Sequence, residues 1–124
     1  MNLLPYKKPT LGDWGEKIAV NYLMKQGYEI LDRNYKTKLG ELDIVAKEGD
    51  IIVFVEVKTR SSRSFGLPQE SVNFKKQNKI MRMAMQYLQN RGLRGTWRID
   101  VVAIVMDKNR RVENIDLIRN AVIR

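Results

Sequence analysis

The 124-residue sequence predicts a single α/β domain in which helices flank a mixed central sheet. Helical and strand-like segments follow one another in the order α-β-β-β-α-β-β. Three consecutive strands joined by short turns indicate an antiparallel meander, and a helix before the next strand indicates a crossover connection. A chain of this length buries one hydrophobic core, so residues 1–124 are interpreted as one domain whose residues 1–9 form a flexible lead-in.

The first helix is predicted to begin after Thr10 and to end at about Gln26, where Gly27 stops it. Thr10 is a favourable N-cap residue, and Asp13 three residues later completes a pattern similar to a capping box. Glu16 lies just past the edge of the apolar stripe of this helix. On position alone, Glu16 is either a partly exposed side chain on the helix flank or a ligand at a site.

The rest of the chain is organised around a hairpin, which comes after the first predicted strand. Residues 28–35 are predicted to form the first strand, and residues 36–38 the turn that leads into the hairpin. The hairpin itself spans residues 40–60, with turn chemistry at residues 47–50, where a glycine can adopt positive φ.

Charged side chains converge on one face of this hairpin. Strand alternation places Glu41 and Asp43 on the same side of the first of its two strands. Pairing the two end residues of the turn makes Asp43 a diagonal neighbour of Glu56, with Lys58 one step further along. Because burying a charge is costly unless it is paired or binds a metal, this face is either a solvent-exposed surface with a Glu–Lys pair or a functional site.

A second helix is predicted from Phe74 to Asn90, with Asn73 as its cap and Gly92 just past its end. Lysines crowd its first half, where they oppose the helix dipole but would favour a phosphate partner. Its predicted core positions follow helical spacing: Phe74, Ile80, Met81, Ala84, Met85 and Leu88.

The end of the chain predicts two more strands. Residues 96–106 are almost continuously apolar, which is typical of a buried strand. Asp100 interrupts this run and is interpreted as structural; it either pairs with Arg98 or another cation or lies at the exposed end of the strand. Residues 107–109 predict a turn, and residues 111–117 a final strand.

The composition excludes several classes of enzyme. The sequence contains no histidine and no cysteine, which removes Ser-His-Asp and Cys-His catalysis, thiolate metal sites and ordinary zinc hydrolase sites. A hydrolase with this inventory must use carboxylates, lysine, arginine and tyrosine. Carboxylates suit a hard cation of the Mg²⁺ type.

The net charge of +9 favours a polyanionic partner, nucleic acid above all, although an anionic membrane surface or ribosomal RNA would satisfy the same charge. No apolar run is long enough to span a bilayer, and the N-terminus lacks signal-peptide architecture, so a cytoplasmic location without membrane association is expected.

The Ser- and Arg-rich segment of residues 59–68 predicts a loop suited to phosphate contacts. The candidate nucleic-acid contacts are Lys36, Lys38, Arg60, Arg63, Lys75, Lys76 and Lys79. Each of the loop lysines could equally be solvated.

Asp43, twelve intervening residues and then Glu56-Val57-Lys58 resemble the PD-(D/E)xK signature of the restriction-endonuclease-like nucleases. Leu42 stands where that signature has proline. The longer stretches GEKIAVNYLMKQGYEILDRNYKTKLGELDIVA, FVEVKTR and RIDVVAI resemble the YraN family of predicted endonucleases, distantly related to archaeal Holliday-junction resolvases. The resemblance spans roughly residues 12–104, and the predicted element order agrees with the restriction-endonuclease-like αβββαβ core.

This resemblance implies Mg²⁺- or Mn²⁺-dependent hydrolysis of DNA phosphodiester bonds, with branched or junction DNA as the substrate by similarity to the resolvases. Asp43, Glu56 and the Val57 carbonyl would hold the metal, with Glu16 joining through a water, and Lys58 would position the attacking water. The catalytic set that it implies is Glu16, Asp43, Glu56, Lys58 and Gln77. Cutting a junction takes two symmetric cuts, so that substrate would require a homodimer.

Two readings from other classes stay open. A non-catalytic nucleic-acid-binding protein could keep the same fold and basic surface; it would need no divalent ion and would tolerate Asp43→Asn. A structural partner of the ribosome or of a DNA-repair complex is the third reading. All three predict binding that weakens as salt rises, because phosphate contacts release counterions.

Overall fold

The computed structural model describes residues 10–62 and 74–121. Within these two ranges there are two helices and five strands: α1 Leu11–Lys25, β1 Glu29–Thr37, β2 Gly40–Glu48, β3 Ile51–Ser61, α2 Phe74–Asn90, β4 Trp97–Met106 and β5 Val112–Ile118. The strands form one mixed sheet in the order β1-β2-β3-β4-β5, in which only the β3–β4 pair is parallel. The predicted α/β class, meander and crossover are therefore confirmed, and the arrangement is compatible with an αβββαβ core. The predicted lead-in, Arg63 and Asn73 lie outside the described residues.

Helix α1 begins and ends where its sequence predicts. The Thr10 hydroxyl accepts a hydrogen bond from the Asp13 amide at 3.0 Å, and the Thr10 amide donates to Asp13 Oδ2 at 3.2 Å. This capping box satisfies two amides that the first turn would otherwise leave without partners. Gln26 is the C-cap, and Gly27 adopts the positive φ of 94° that favours glycine there.

Each helix covers one face of the sheet. On the α1 side, Ala19 and Leu23 are buried against residues that include Ile44, Val53 and Val102. On the α2 side, the buried cluster includes Val45, Phe54, Ile80, Met83, Tyr87 and Ile99. Both faces of the central strands are therefore removed from water, which explains why β3 and β4 are almost continuously apolar.

The predicted buried face of α2 is partly wrong. Ile80, Ala84 and Leu88 are buried as predicted, but Phe74, Met81 and Met85 are 60%, 36% and 52% exposed. The helix is rotated so that other side chains face the sheet: Gln77, Met83 and Tyr87. Aromatic contacts explain the rotation, because the Tyr87 ring packs edge-on against Tyr35 and Phe54 and its hydroxyl donates to Asp32 at 3.1 Å.

The hairpin register also differs from the prediction. Glu48 pairs with Ile51, so Gly49 and Asp50 form the two-residue turn, one position later than the predicted pairing of Lys47 with Asp50 implies, and Gly49 has a φ of 59°. The shift is by two residues, which keeps each side chain on its face and moves Asp43 from a diagonal position to the level of Glu56. In this register Gly49 is the first of the two turn residues, where a glycine of positive φ suits the twist of the flanking strands.

Two strands extend further than the sequence indicates. Lys36 lies in β1, paired with Glu41, and the turn into β2 is formed by residues 38–39 instead of residues 36–38. Arg60 belongs to β3, where it pairs with Val105, and is not part of a loop. Pairing with a neighbouring strand satisfies the backbone of both segments and overrides their polar composition.

Asp100 is structural, as predicted. Its side chain is fully buried, and it accepts hydrogen bonds from the Tyr28 hydroxyl at 2.8 Å, Arg98 Nε at 2.9 Å and the Asn120 amide at 2.9 Å. The last contact fastens the end of the chain beyond β5 to the core. Neither described helix is long and apolar enough to cross a membrane.

Candidate metal and nucleic-acid site

The candidate site forms where β2 separates from β3. The recorded pairing of these strands ends at Ile44 and Val55. Leu42 and Val45 pack in the same cluster below α2, although strict alternation would place them on opposite faces, and Ile44 packs on the α1 side. Alternation therefore breaks at Asp43, which points its side chain across to β3, where Asp43 Oδ2 accepts a hydrogen bond from the Val57 amide at 2.9 Å.

Three carboxylates meet at this point. Glu16 from α1 and Glu41 and Asp43 from β2 each offer an oxygen, and these oxygens lie within 4.8 Å of one another. Oxygen ligands from carboxylates are the donors that Mg²⁺ and similar hard cations prefer. The cluster therefore has the chemistry of a divalent-cation site, assembled from a helix and a strand that are far apart in sequence.

A glycine allows α1 to bring Glu16 into this cluster. A Cβ atom at Gly15 would lie 1.9 Å from Thr59 Oγ1 on β3, so no larger residue fits without movement of the helix or the strand. The Gly15-Glu16 pair thus joins a close helix–strand contact to a functional side chain. Because Gly15 and Glu16 are adjacent, the close approach of α1 at Gly15 places the Glu16 carboxylate directly over the diverging strands.

Burial makes the cluster unfavourable for negative charge. Burial, and next the charge of Glu56, raise the pKa of Asp43 to about 7. Burial also raises the pKa of Glu16, against the opposing effect of Arg33, whose Nε lies 3.8 Å from Glu16 Oε1. Glu16 Oε1 is buried and accepts no hydrogen bond from any residue that the structure describes. A bound cation would satisfy that oxygen and offset the repulsion.

Glu56 lies beside the cluster and is paired with lysines. Lys76 Nζ of α2 is 2.8 Å from Glu56 Oε1, and Lys58 Nζ is 3.8 Å from the same oxygen. Burial and the neighbouring Lys76 lower the pKa of Lys58. Burial opposes protonation of Lys76 too, but its hydrogen bond to Glu56 prevails and the pKa of Lys76 is raised. The two lysines therefore differ: Lys76 holds its proton, and Lys58 releases its proton more readily.

An open cleft of about 360 Å³ leads to these residues. We call it the lysine cleft, because three lysines of α2 form one wall and carboxylates of β2 and β3 the other: Lys75, Lys76, Lys79, Glu41 and Glu56. All three lysines on this wall were predicted as nucleic-acid contacts. Lys36 and Lys38 are exposed beside the turn that precedes β2, outside the lining of the cleft.

The predicted site residues are thus only partly brought together. Asp43, Glu56, Val57 and Lys58 are neighbours on β2 and β3, and Glu16 joins Asp43 from α1. Gln77 is 5% exposed on the sheet-facing side of α2 and is not part of the lysine cleft's lining. Arg60 lines a separate cleft, together with Lys58.

Glu41 is the residue that sequence reasoning left out of the metal set. Alternation on β2 already placed it on the face of Asp43, so the signal was present in the two-residue spacing. The D…ExK pattern directed the choice to Glu56 instead. Only the approach of α1 reveals that Glu41 and Glu16 converge on the same point.

The fold and the site define a small basic α/β protein with a carboxylate cluster where β2 leaves β3. The chain belongs to the Uncharacterised protein family UPF0102, whose sequence profile matches residues 15–104 and which is the YraN family of the sequence analysis. It is 50% identical to a UPF0102 protein of Moorella thermoacetica over 111 residues, 89% of this chain and 92% of that one. It is 49% identical to a UPF0102 protein of Caldicellulosiruptor saccharolyticus over 115 residues, 92% and 98% of the two chains.

Proposed function

We propose that this protein is an endonuclease that hydrolyses DNA phosphodiester bonds with Mg²⁺ or Mn²⁺, as a member of the PD-(D/E)xK superfamily. The observation that carries the proposal is the convergence of oxygens from Glu16, Glu41 and Asp43 within 4.8 Å, beside a strand that bears Glu56 and Lys58. The D…ExK pattern supplied the expectation, and the three-carboxylate cluster is independent support for it.

The donor set fits a hard divalent cation. Glu16, Glu41 and Asp43 would hold the ion, with the Val57 carbonyl as an additional oxygen on the neighbouring strand. The buried Glu16 oxygen that accepts no hydrogen bond from the described residues, and the raised pKa of Asp43, are both features that a cation would relieve. When bound, such an ion supplies charge stabilisation and a water of lowered pKa.

The chain's own side chains would do the rest. Lys58, whose pKa is lowered, would position the attacking water and balance charge on the phosphate as the reaction proceeds. Glu56 would hold Lys58 in place through their contact at 3.8 Å. The lysine cleft would hold the DNA backbone, because three ammonium groups on one wall suit phosphates and carry no sequence information.

Branched DNA is the substrate that the similarity to resolvases suggests. Two symmetric cuts would then come from a homodimer, in which each protomer cuts one strand. Cutting linear DNA would need no such assembly. A preference for branched DNA and a dimeric state in solution therefore both test whether the protein acts on junctions.

Cleavage assays on linear, flapped and four-way-junction DNA with Mg²⁺ or Mn²⁺ test the proposal. The wild type should cut only with the metal, and Asp43→Asn and Lys58→Ala should each lower the rate by about two orders of magnitude or more. Asp50→Asn, which makes the same chemical change in an exposed turn, serves as the matched control and should cut normally.

One contact favours a second candidate, a nucleic-acid-binding protein without catalysis. Lys76 Nζ lies 2.8 Å from Glu56 Oε1 and neutralises its charge. A protein that needs no metal at Glu56 would retain this ion pair. That reading predicts wild-type binding to all of these DNAs with no cutting under any metal. Binding by Asp43→Asn would then equal binding by the wild type.

A further inference from the structure

A second cleft adjoins the lysine cleft on the other side of β3. It has a volume of about 220 Å³ and is lined by three strands: Lys58, Arg60, Ala103, Ile104, Val105, Asn114 and Asp116. We call it the strand cleft. Glu56 lines the lysine cleft and Lys58 the strand cleft, and these residues are two positions apart on β3. A strand rises about 3.4 Å per residue, so the two clefts meet over the strand of the proposed site.

The register of the sheet explains the concave shape of the strand cleft. Lys58 pairs with Ala103, and Ala103 pairs with Asp116. Two residues further along, on the same face, the three strands pair in the same way through Arg60, Val105 and Asn114. The small Ala103 side chain leaves a depression between the long cationic side chains on β3 and the polar side chains on β5. A ligand in this depression would therefore contact a cation on one side and an amide and a carboxylate on the other.

The two clefts differ in the chemistry that they offer. The lysine cleft presents three ammonium groups, which suit phosphates. In the strand cleft, Asn114 Nδ2 donates to Asp116 Oδ2 at 3.0 Å, and both residues are exposed. An ionised carboxylate only accepts hydrogen bonds and repels a phosphate. Among the groups of a nucleic acid, one that contacts Asp116 would therefore be a hydrogen-bond donor.

We propose that the strand cleft binds the base and sugar of a nucleotide adjoining the scissile phosphate, and that Asp116 selects it by accepting a hydrogen bond. This inference rests on the proposed function, because the polymer must cross β3 from one cleft to the other. The shared ligand chemistry is a hydrogen-bond donor, either the exocyclic amine of a base or the 2′-hydroxyl of a ribose. Cytosine carries such an amine at N4, whereas thymine has an acceptor, O4, at that position.

Fluorescence anisotropy with short single-stranded homopolymers tests the proposal without cleavage, in the presence of a chelator. The probes are oligo-deoxycytidine, oligo-thymidine and oligo-uridine with ribose. We expect the wild type to bind deoxycytidine at least about tenfold more tightly than thymidine, as one hydrogen bond to a charged group allows. Asp116→Ala should abolish the difference. Glu113→Ala removes the same charge from an exposed position of β5 outside the cleft and should preserve it.

The ribose probe separates the two sources of the donor. If uridine binds more tightly than thymidine, and Asp116→Ala removes that difference, Asp116 reads the sugar hydroxyl. The proposal is overturned if the wild type binds all three polymers alike or not at all, or if Asp116→Ala and Glu113→Ala have the same effect. An Asp116-dependent preference without any cutting would sustain the cleft and reject the nuclease. DNA cleavage without any Asp116-dependent preference would support the nuclease and reject the role of the strand cleft.

Discussion

At the residue scale, the ionisation of Asp43 is the feature of the site that most affects the stability of the fold. The position of its carboxyl is fixed by the Val57 amide, and burial with the nearby Glu56 raises its pKa to about 7. Strand alternation together with the D…ExK pattern predicted that Asp43, Glu56 and Lys58 lie close together, and they are neighbours on β2 and β3 although the register differs from the predicted one. It did not reveal Glu41 as a partner of Glu16, because that contact depends on how closely α1 approaches the sheet.

The raised pKa of Asp43 predicts how stability depends on pH without metal. Its folded-state pKa of about 7 exceeds the ordinary 3.8, so its contribution to stability is fully present below pH 3.8 and is lost as the pH rises through 7. Asp43→Asn keeps an acceptor for the Val57 amide and removes the charge. In a chelator at pH 8, this variant should exceed the wild type in free energy of unfolding by on the order of 2–4 kcal/mol.

Urea denaturation at pH 4 and pH 8 measures this difference, which should nearly vanish at the lower pH. Asp50→Asn, in the exposed turn between β2 and β3, controls for the loss of a carboxylate and should leave the pH dependence unchanged. If Asp43→Asn is no more stable than the wild type at pH 8, the carboxyl is not destabilised by its surroundings.

At the element scale, most of the fold was predictable and two details were not. Helix α1 follows from Thr10, Asp13 and Gly27, whose capping roles are local. The buried face of α2 was not predictable, because methionines lie on several of its faces and the contacts of Tyr87 with the sheet decide the rotation. The hairpin register depended on whether Gly49 begins a two-residue turn, which neighbouring residues do not fix.

The contact of α1 with β3 gives a prediction at this scale. Gly15→Ala should lower the free energy of unfolding by about 1–3 kcal/mol and weaken metal binding, because a Cβ would overlap Thr59 Oγ1. Thr59→Ala in the same protein should restore part of that loss, a coupling that a double-mutant cycle measures.

Gly12 in the same helix is the matched control. A Cβ there would meet only Thr10 Oγ1, at an ordinary 3.7 Å, so Gly12→Ala should be neutral or stabilising by up to about 1 kcal/mol. Equal effects of the two glycine substitutions would mean that helix propensity, and not the close approach to β3, governs position 15.

At the scale of the whole molecule, charge is distributed unevenly. The sequence carries a net charge of +9, and residues 74–97 contain six lysines and arginines and no acidic residue. Half of these cations line the lysine cleft, opposite the carboxylates of β2 and β3. The basic surface and the acidic cluster are therefore adjacent but separate, as a site that binds both a polyanion and a cation requires.

This distribution predicts a salt dependence for DNA binding. Lys79→Gln should weaken binding to all sequences about equally and reduce the slope of log affinity against log salt concentration by about 1. Lys108→Gln, in the exposed turn before β5 and outside the cleft, should leave the slope nearly unchanged. Anisotropy titrations at several salt concentrations provide the measurement, and equal slopes for the two variants would exclude the lysine cleft as the DNA-binding surface.

Calorimetric titration of Mn²⁺ or Mg²⁺ into chelator-treated protein at pH 8 tests the central claim most directly, since it requires no substrate. We predict one binding site in the wild type, with affinity at least about tenfold weaker in Glu41→Gln and in Asp43→Asn. Glu113→Gln, an exposed carboxylate on β5, should bind as the wild type does. If the wild type binds no divalent ion, or if Glu41→Gln and Asp43→Asn bind it normally, the carboxylate cluster is not a metal site.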